Sequence, residues 1–254
     1  MIASPHLIPR SCEAELPLAP VRAGGEVGGM CGRVVQALPA DEIRRLFDVE
    51  AGALFNAPPR WNGAPTDRLM VVRRNPETGK KALDLLRWGL VPRFAKDLRA
   101  SASLINARLE TLAQKPAFRD AWAKKRRCLL PVDGFYEWRR EGAVKQPYAI
   151  ALKDRSAMAL AGLWENWKDP ASGEWVRSFT VLTTEANDLL KPLHERMPVI
   201  VPDADRELWL SGGEAEGLLK PLAAEAMEIW PVSTAVNKVG NEGEGLWAGS
   251  QKRG

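Results

Sequence analysis

The 254-residue chain is poor in the residues that build disulfide frameworks and metal sites. It has three cysteines, Cys12, Cys31 and Cys128, and two histidines, His6 and His194. An odd cysteine count without a Cys-x-x-Cys pair argues against a disulfide framework and a zinc site, and two distant histidines argue against a histidine-rich site. We therefore expect no metal, no cofactor and a reducing, cytoplasmic location.

Long apolar runs and a strong excess of one charge are also missing. No window approaches the roughly 18 apolar residues of a membrane-spanning helix, so we expect no contact with a membrane. The net charge is +4, with 45% hydrophobic and 27% charged residues, which is ordinary for a soluble chain with a core. This charge permits a polyanionic partner without requiring one. Of the ten tryptophans, we expect most in the core and some as platforms on which bases stack.

The first 29 residues have no hydrophobic periodicity and lack the apolar core of a secretory signal. We interpret residues 1–29 as a disordered leader. The codons of residues 24–26 are purine-rich and resemble a bacterial ribosome-binding site three codons before Met30. We therefore expect translation to begin at Met30 or the leader to be removed, with one domain over 30–245 and a flexible tail over 246–254.

Beyond residue 30, short strand-like and helix-like segments follow one another. Strands are predicted at residues 31–38, 69–74, 82–91, 127–132, 134–140, 146–152, 157–164, 177–184, 197–201 and 227–233. Helices are predicted at residues 39–49, 106–114, 116–126, 184–193, 203–210 and 215–223. Because there is no βαβ rhythm, the pattern indicates an α+β fold, a single domain with a mixed, barrel-like sheet as its core and flanking short helices.

Cys31 is the first candidate for chemistry. A free cysteine is usually a small buried hydrophobe, but glycines near Cys31 leave it sterically open. If Met30 is the initiator and is trimmed, Cys31 carries an α-amine with a pKa of about 7.7–8.0 beside a thiol with a pKa of about 8.5. Such a 1,2-aminothiol condenses with an aldehyde to a Schiff base, and the thiol then closes a thiazolidine ring. An internal cysteine has no free amine and cannot do this.

Four further polar residues stand out, and three of them have a structural alternative. His194 lies between a predicted helix and a predicted strand, where it either serves a site or makes a structural hydrogen bond. Arg196, two residues on, would face the same way on an extended backbone. Glu137 lies between two aromatic residues on a predicted strand, so it is either a buried general acid with a raised pKa or an exposed carboxylate. Asn106 is also compatible with a helix N-cap.

Taken in order, the motifs resemble those of the SOS response-associated peptidase family. The matching stretches are "MCGR" (30–33), "RWNGAPT" (60–66), "RWGLVP" (87–92), "INARLET" (105–111), "PAFRDAW" (116–122), "RRCLLPVDGFYEW" (126–138), "QPYAIA" (146–151), "LAGLWENW" (160–167), "TVLTTEAN" (180–187) and "HERMPVI" (194–200). They run through nearly all of residues 30–240.

The resemblance implies a sensor of abasic sites in single-stranded DNA that links to them covalently through an amino-terminal Cys31. It implies that Glu137 protonates the sugar ring oxygen, that His194 assists proton transfer at the Schiff base, and that Asn106 holds the cysteine terminus. The implied phosphate contacts are Arg33, Arg108 and Arg196. The implied packing contacts with DNA are Trp88 and Trp138, and the implied site walls are Asn62, Thr66, Thr184, Glu185 and Asn187. The expected partner is single-stranded DNA that contains abasic sites, bound by a monomer associated with the nucleoid.

The leader departs from the family pattern, in which the cysteine follows the initiator directly. Two alternatives to covalent capture stay open. One is a thiol autopeptidase that removes its own leader with Cys31, His194 and Glu137. The other is a non-covalent reader of modified DNA. Lyase activity at abasic sites, through the Schiff base, is a further expectation.

Overall fold

The strands form where runs of Val, Leu, Ile and aromatic residues occur, since these side chains pack well on a pleated surface. The computed structural model describes residues 31–50, 56–141, 144–213 and 219–249. Within these ranges the strands are β1 (Val34–Gln36), β2 (Arg60–Gly63), β3 (Arg68–Arg74), β4 (Lys81–Trp88), β5 (Asn106–Arg108), β6 (Arg127–Val132), β7 (Gly134–Glu141), β8 (Val144–Leu152), β9 (Met158–Lys168), β10 (Trp175–Glu185), β11 (Arg196–Pro198) and β12 (Met227–Pro231).

The first sheet is antiparallel and has the order β12-β8-β7-β1-β2. Its centre is β7, where Phe135 lies opposite Val34 of β1 and Glu137 lies opposite Tyr148 of β8. Because side chains alternate along a strand, Phe135 and Glu137 face one side of this sheet and Tyr136 faces the other.

The second sheet closes into a ring of five strands in the order β10-β4-β3-β6-β9, with β9 pairing back to β10. Strand β10 pairs in parallel with β4 and β5 and antiparallel with β9 and β11. The predicted α+β fold with a mixed, barrel-like sheet is therefore confirmed.

In the same described ranges, three short α-helices flank the sheets: α1 (Ala40–Leu46), α2 (Pro116–Ala123) and α3 (Arg206–Ser211). Helix α2 begins at Pro116, where the missing N–H costs nothing because the first turn has no acceptor for it. Helix α3 ends at Gly212, whose φ of 76° favours a residue without a Cβ. In the described part of the chain no helix is long and apolar enough to cross a membrane.

Two predicted helices are wrong. Residues 106–108 form β5, because Asn106 pairs with Val181 of β10, and only a 3-10 turn, Leu109–Thr111, follows. Residues 186–193 form turns after β10 ends, and the Asn187 carboxamide oxygen accepts the N–H of Leu190 there. The third, at 215–223, lies partly outside the described residues, and residues 219–223 are not helical.

Two large apolar clusters hold these layers together. The first joins both sheets and contains Cys31, Trp88, Phe135 and Phe179. The second packs the other face of the ring strands against the three helices. Together they place the segment that carries Cys31 where the two sheets meet.

The packed structure continues past residue 245, where a flexible tail was predicted. Leu246 is buried and Trp247 packs edge-on against Tyr136, with ring centroids 5.6 Å apart. Gly249 forms a bridge to the main chain of Val232. Residues 246–249 of the predicted tail, 246–254, therefore pack against the domain. The rest of that tail, 250–254, and the predicted leader, 1–29, lie outside the described residues.

Candidate active site

The backbone of Cys31 is held from both sides at the meeting point of the two sheets. Its nitrogen donates a hydrogen bond to Oε1 of Glu137 at 2.5 Å. Its carbonyl oxygen accepts one from Nδ2 of Asn106 at 3.3 Å. Glu137 comes from β7 of the first sheet and Asn106 from β5 of the second. Three of the four predicted catalytic residues therefore form one hydrogen-bonded cluster.

Glu137 is a buried carboxyl group, with 3% of its surface exposed. Burial raises its pKa from 4.5 to about 8, and the hydrogen bonds from the backbone of Cys31 and Trp138 only partly offset this rise. A carboxyl group with this pKa is mostly protonated at neutral pH. It is therefore able to donate a proton to an atom at the position of the Cys31 nitrogen.

The thiol of Cys31 is fully buried in the cluster that joins the sheets. Burial, followed by the charge of Glu137, raises its pKa well above its ordinary value, while the hydrogen bond from the Arg33 backbone lowers it less. The thiol is therefore neutral at physiological pH. Because little thiolate is present, a reaction of this thiol would require the electrophile to be positioned beside it.

His194 lies at the end of the turn region that precedes β11, and it is half-buried. Its Nδ1 accepts a hydrogen bond from the backbone N–H of Arg196 at 3.0 Å, so in the neutral ring the proton is on Nε2. Its neighbours Leu193 and Met197 pack against the same apolar cluster as Cys31. The structure thus places His194 at the margin of the cluster, with its tautomer determined by the backbone.

Strand β10 brings two predicted phosphate-binding arginines to the same end of the ring sheet. Arg108 of β5 lies opposite Thr183, and Arg196 of β11 lies opposite Glu185. Thr184, a predicted wall residue, lies between these two positions and is buried. Arg108 is exposed at this end of the sheet, whereas Arg196 has 8% of its surface exposed.

Arg196 is tied to Glu110, a residue that the sequence analysis did not single out. Two parallel hydrogen bonds, at 2.6 and 2.9 Å, join the guanidinium to the carboxylate, and a third reaches the carbonyl oxygen of Thr183 at 2.7 Å. The pKa of Glu110 is lowered mainly by its hydrogen bond with Arg196. Glu110 lies in the motif "INARLET", but no local spacing rule connects it to a partner 86 residues away.

Arg33, Asn62 and Trp138 form a second group on the other side of the first sheet. Nη1 of Arg33 donates to Oδ1 of Asn62 at 2.8 Å, and its guanidinium carbon lies 5.9 Å from the centroid of the Trp138 ring. Asn62 is 1% exposed, so it offers almost no surface to a ligand. Arg33 and Trp138 are partly exposed.

Trp88 lies in the core and not at the surface. Its ring is fully buried and stacks on Phe179 at 6.3 Å, and Nε1 donates to the carbonyl oxygen of Ile105 at 3.0 Å. The expectation that Trp88 packs directly against DNA does not fit this position. Trp88 instead holds the residue that precedes Asn106, and so positions β5.

Two predicted wall residues have backbone roles. Thr66 has a φ of 77°, which is unusual for a β-branched residue, and its N–H donates to the carbonyl oxygen of Trp88 at 2.8 Å. The carboxamide of Asn187 bonds the N–H of Leu190 and the carbonyl oxygen of Leu222. Among residues 31–50, 56–141, 144–213 and 219–249, no group of three or more His, Cys, Asp or Glu side chains could hold a metal ion.

Comparison with known proteins finds one family. The sequence model described as SOS response associated peptidase (SRAP) matches residues 30–239. Abasic site processing protein YoqW of Bacillus subtilis (strain 168) is 36% identical over 222 residues, which cover 84% of this chain and 96% of that protein. Abasic site processing protein YedK of Escherichia coli (strain K12) is 31% identical over 228 residues, 85% of this chain and 98% of that one. Abasic site processing protein HMCES of Xenopus tropicalis is 28% identical over 260 residues, 84% and 76% respectively.

Solved structures agree with the fold. A protein from Bordetella bronchiseptica is 30% identical, with a TM-score of 0.68 over 80% of this chain and all of that one. A protein from Bacteroides thetaiotaomicron superposes with a TM-score of 0.76 at 25% identity, over 87% of this chain and all of that one.

Proposed function

The chain belongs to the SOS response associated peptidase family, and on that basis we propose that it processes abasic sites in DNA. The relatives named above are called abasic site processing proteins. The finer proposal is covalent capture of the abasic aldehyde in single-stranded DNA by an amino-terminal Cys31. The observation that supports it is the 2.5 Å hydrogen bond between the Cys31 nitrogen and Glu137, because a buried carboxyl group then lies beside the atom that would attack.

The proposal requires a free amine on Cys31. In the 254-residue chain this nitrogen is part of the peptide bond to Met30, and an amide nitrogen does not attack an aldehyde. We propose that the active form begins at Cys31, after translation from Met30 and removal of the methionine. Its domain then spans the residues from Cys31 to at least Gly249.

The reaction begins with the closed sugar, a cyclic hemiacetal. The Glu137 carboxyl donates a proton to the ring oxygen, and the proton of the C1′ hydroxyl replaces it on Glu137, which leaves an open-chain aldehyde. The Cys31 amine adds to C1′, and the resulting hydroxyl group leaves as water with a proton from Glu137. The nitrogen then returns a proton to the Glu137 carboxylate, which leaves a neutral Schiff base. The thiol then adds to C1′ and its proton passes to the nitrogen, which closes the thiazolidine. The balance is the loss of one water.

The remaining residues hold the reactants. Asn106 fixes the Cys31 carbonyl oxygen, which restricts rotation of the attacking residue. His194, with its proton on Nε2, is proposed to exchange protons at the Schiff base. Arg33, Arg108, Arg196 and Trp138 are proposed to contact the strand on both sides of the lesion, since guanidinium groups match phosphate geometry and indole rings stack on bases.

A denaturing gel tests the proposal. Protein that begins at Cys31 is mixed with a single-stranded oligonucleotide that has one abasic site, and the matched control is the 254-residue chain, with its intact mass verified before and after the reaction. The expected result is a shifted band with the first protein and none with the second. A shorter DNA product in the same lanes would report lyase cleavage. Complex formation on a native gel without a denaturation-resistant band would instead favour a non-covalent reader and contradict the proposal.

A second function, removal of its own leader, is favoured by the same contact. Glu137 lies against the nitrogen that would leave if the Met30–Cys31 peptide bond broke. The Cys31 thiol would attack the Met30 carbonyl carbon, and the nitrogen would leave with a proton from Glu137. The thiol proton would replace it on Glu137, and water would then hydrolyse the thioester. Incubation of the purified 254-residue chain would then produce the mass of the chain that begins at Cys31, and Cys31→Ala would stop this. An unchanged mass would argue against self-cleavage.

A further inference from the structure

A loop that follows the last strand of the first sheet holds two of the proposed DNA contacts. We call residues 234–242 the strap. It begins with a 3-10 turn, Thr234–Asn237. Within this turn the side chain of Val236 is fully buried in the apolar cluster that contains Tyr136, on the face of the first sheet opposite Glu137. The strap is therefore anchored to the sheet by a buried side chain while most of its other side chains are exposed.

The strap and Asn62 together hold the guanidinium of Arg33. Nη1 of Arg33 donates to the carbonyl oxygen of Val236 and to Oδ1 of Asn62, both at 2.8 Å. The Asn62 amide nitrogen lies 3.1–3.3 Å from the carbonyl oxygens of Val236, Lys238 and Asn241. Buried Asn62 thus connects Arg33 to three carbonyl groups of the strap, and its polar atoms all face inward.

The strap also holds the indole ring beside Arg33. Nε1 of Trp138 donates to Oδ1 of Asn237 at 2.6 Å, and Nδ2 of Asn237 donates to the carbonyl oxygen of Lys145 at 3.2 Å. Asn237 therefore bridges the ring and the neighbouring strand β8. Because Arg33 lies near the face of this ring, the partly exposed guanidinium of Arg33 and indole of Trp138 have one fixed arrangement.

We propose that Asn62 and Asn237 are positioning residues that orient Arg33 and Trp138 for single-stranded DNA, with Asn62 making no DNA contact itself. The inference rests on the proposed function, which assigns Arg33 and Trp138 to DNA. A guanidinium has five N–H donors. The bonds to Asn62 and Val236 use those on Nη1, so the donors on Nη2 and Nε are left for a phosphate, and the orientation of the guanidinium is already fixed. A group that is already ordered loses less conformational freedom on binding.

The salt dependence of DNA binding distinguishes a role of Asn62 in positioning Arg33 from an effect of Asn62 on the stability of the fold alone. Affinity for an oligonucleotide without an abasic site is measured by fluorescence anisotropy across a KCl series, for the parent that begins at Cys31, Arg33→Ala, Asn62→Ala and the double variant. Each lost phosphate contact lowers the magnitude of the slope of log K against log salt by about 0.7 for single strands. We expect this loss in both single variants and no further loss in the double variant, because Asn62 acts through Arg33.

Tyr136→Phe is the matched stability control. It removes the hydrogen bond from the Tyr136 hydroxyl to the carbonyl oxygen of Trp61, at 2.9 Å, and leaves in place the groups that bond the Arg33 side chain, Oδ1 of Asn62 and the carbonyl oxygen of Val236. It should lower the melting temperature and leave the salt slope unchanged. If Asn62→Ala behaves like Tyr136→Phe while Arg33→Ala lowers the slope, the positioning role is wrong and the DNA role of Arg33 stands. If Arg33→Ala leaves the slope unchanged, the DNA role of Arg33 is wrong and the positioning role falls with it.

Asn237 provides a second test that does not depend on folding of the Asn62 variant, because Asn237 is exposed. Asn237→Ala should weaken DNA binding by about the same factor as Trp138→Ala, about tenfold for one stacked base. The double variant should be no weaker than either single variant. Asn237→Gln keeps both the oxygen acceptor for the indole N–H and an amide donor, without adding charge, and should restore most of the affinity. Binding of Asn237→Ala at the parent's affinity would overturn the assignment for Asn237.

Discussion

Cys31 and Cys128 are buried to the same extent, belong to the same apolar cluster and have thiol pKa values raised by burial. They differ in their main chains. Cys128 lies inside β6, where its backbone pairs with β3 and β9. Cys31 lies before β1, and its backbone nitrogen and carbonyl oxygen contact Glu137 and Asn106. Thiol burial therefore does not distinguish the proposed reactive cysteine from Cys128, whereas the contacts of the backbone nitrogen do.

The largest expected effect comes from removing each thiol in turn. In protein that begins at residue 31, Cys31→Ala should abolish the denaturation-resistant band with abasic single-stranded DNA, because no thiazolidine ring closes. Cys128→Ala should leave the band intact, although the small cavity should cost about 1 kcal/mol of stability. Denaturing gels measure the first result and thermal melts the second.

The nitrogen of Cys31→Ala should still form a Schiff base. Borohydride, added during the reaction, should therefore recover a covalent band with this variant through reduction of the C=N bond. Absence of any trapped product, with Asn106 and Glu137 unchanged, would break the comparison, because it would mean that the nitrogen does not attack first.

Removing the carboxyl group beside the nitrogen should have the next largest effect. Glu137→Gln should slow crosslinking by about 10²-fold, the lower range for a lost general acid, and change DNA affinity by less than about twofold. Glu165→Gln is the control and should leave the rate unchanged. Glu165, on β9, is also a buried glutamate with a raised pKa, but it pairs with Arg126 and not with Cys31. Equal rates for Glu137→Gln and the parent would remove Glu137 from the mechanism.

The raised pKa of Glu137 should also make stability depend on pH. Its pKa in the folded chain, about 8, lies above its ordinary value of 4.5, so the folded state binds the proton more tightly. The contribution is complete below pH 4.5 and is lost as pH rises to about 8, by a few kcal/mol at about 1.4 kcal/mol per pKa unit. Urea unfolding of the 254-residue chain should show this decline, and Glu137→Gln should flatten it.

The protein that begins at Cys31 provides a second test, in which the pH dependence of its unfolding free energy is compared with that of the 254-residue chain. Its α-ammonium group beside Glu137 should lower the pKa of the carboxyl group, so the decline in stability with pH should be smaller than in the 254-residue chain. A decline of equal size in the two forms would mean that the amine does not lie beside Glu137.

Most strands were predictable from the sequence, because alternation and β-branched residues are local signals. The segment at Asn106 was not, since its pairing with β10 is a contact between distant parts of the chain. The same limit applies to the site. No spacing rule brings Cys31 to Glu137 across 106 residues, and only the resemblance to a family indicated that these residues act together.

The arginines show a second limit. The family resemblance implied Arg33 and Arg196 as phosphate contacts, but it did not indicate that Asn62 and the strap hold the first or that Glu110 holds the second. Asn62 lies on β2 and Glu110 in the 3-10 turn Leu109–Thr111, both far along the chain from the groups that they contact, so these contacts were recognisable only once the chain was folded.

Intact-mass analysis of the crosslinked product, followed by peptide mapping, tests the central claim most directly. Protein that begins at Cys31 should gain the mass of the abasic oligonucleotide less one water. The DNA should be on the peptide that contains residue 31, and its mass should not change on later borohydride treatment, because a closed thiazolidine has no C=N bond to reduce. DNA attached to a lysine, or a product that borohydride reduces after the reaction is complete, would contradict the claim.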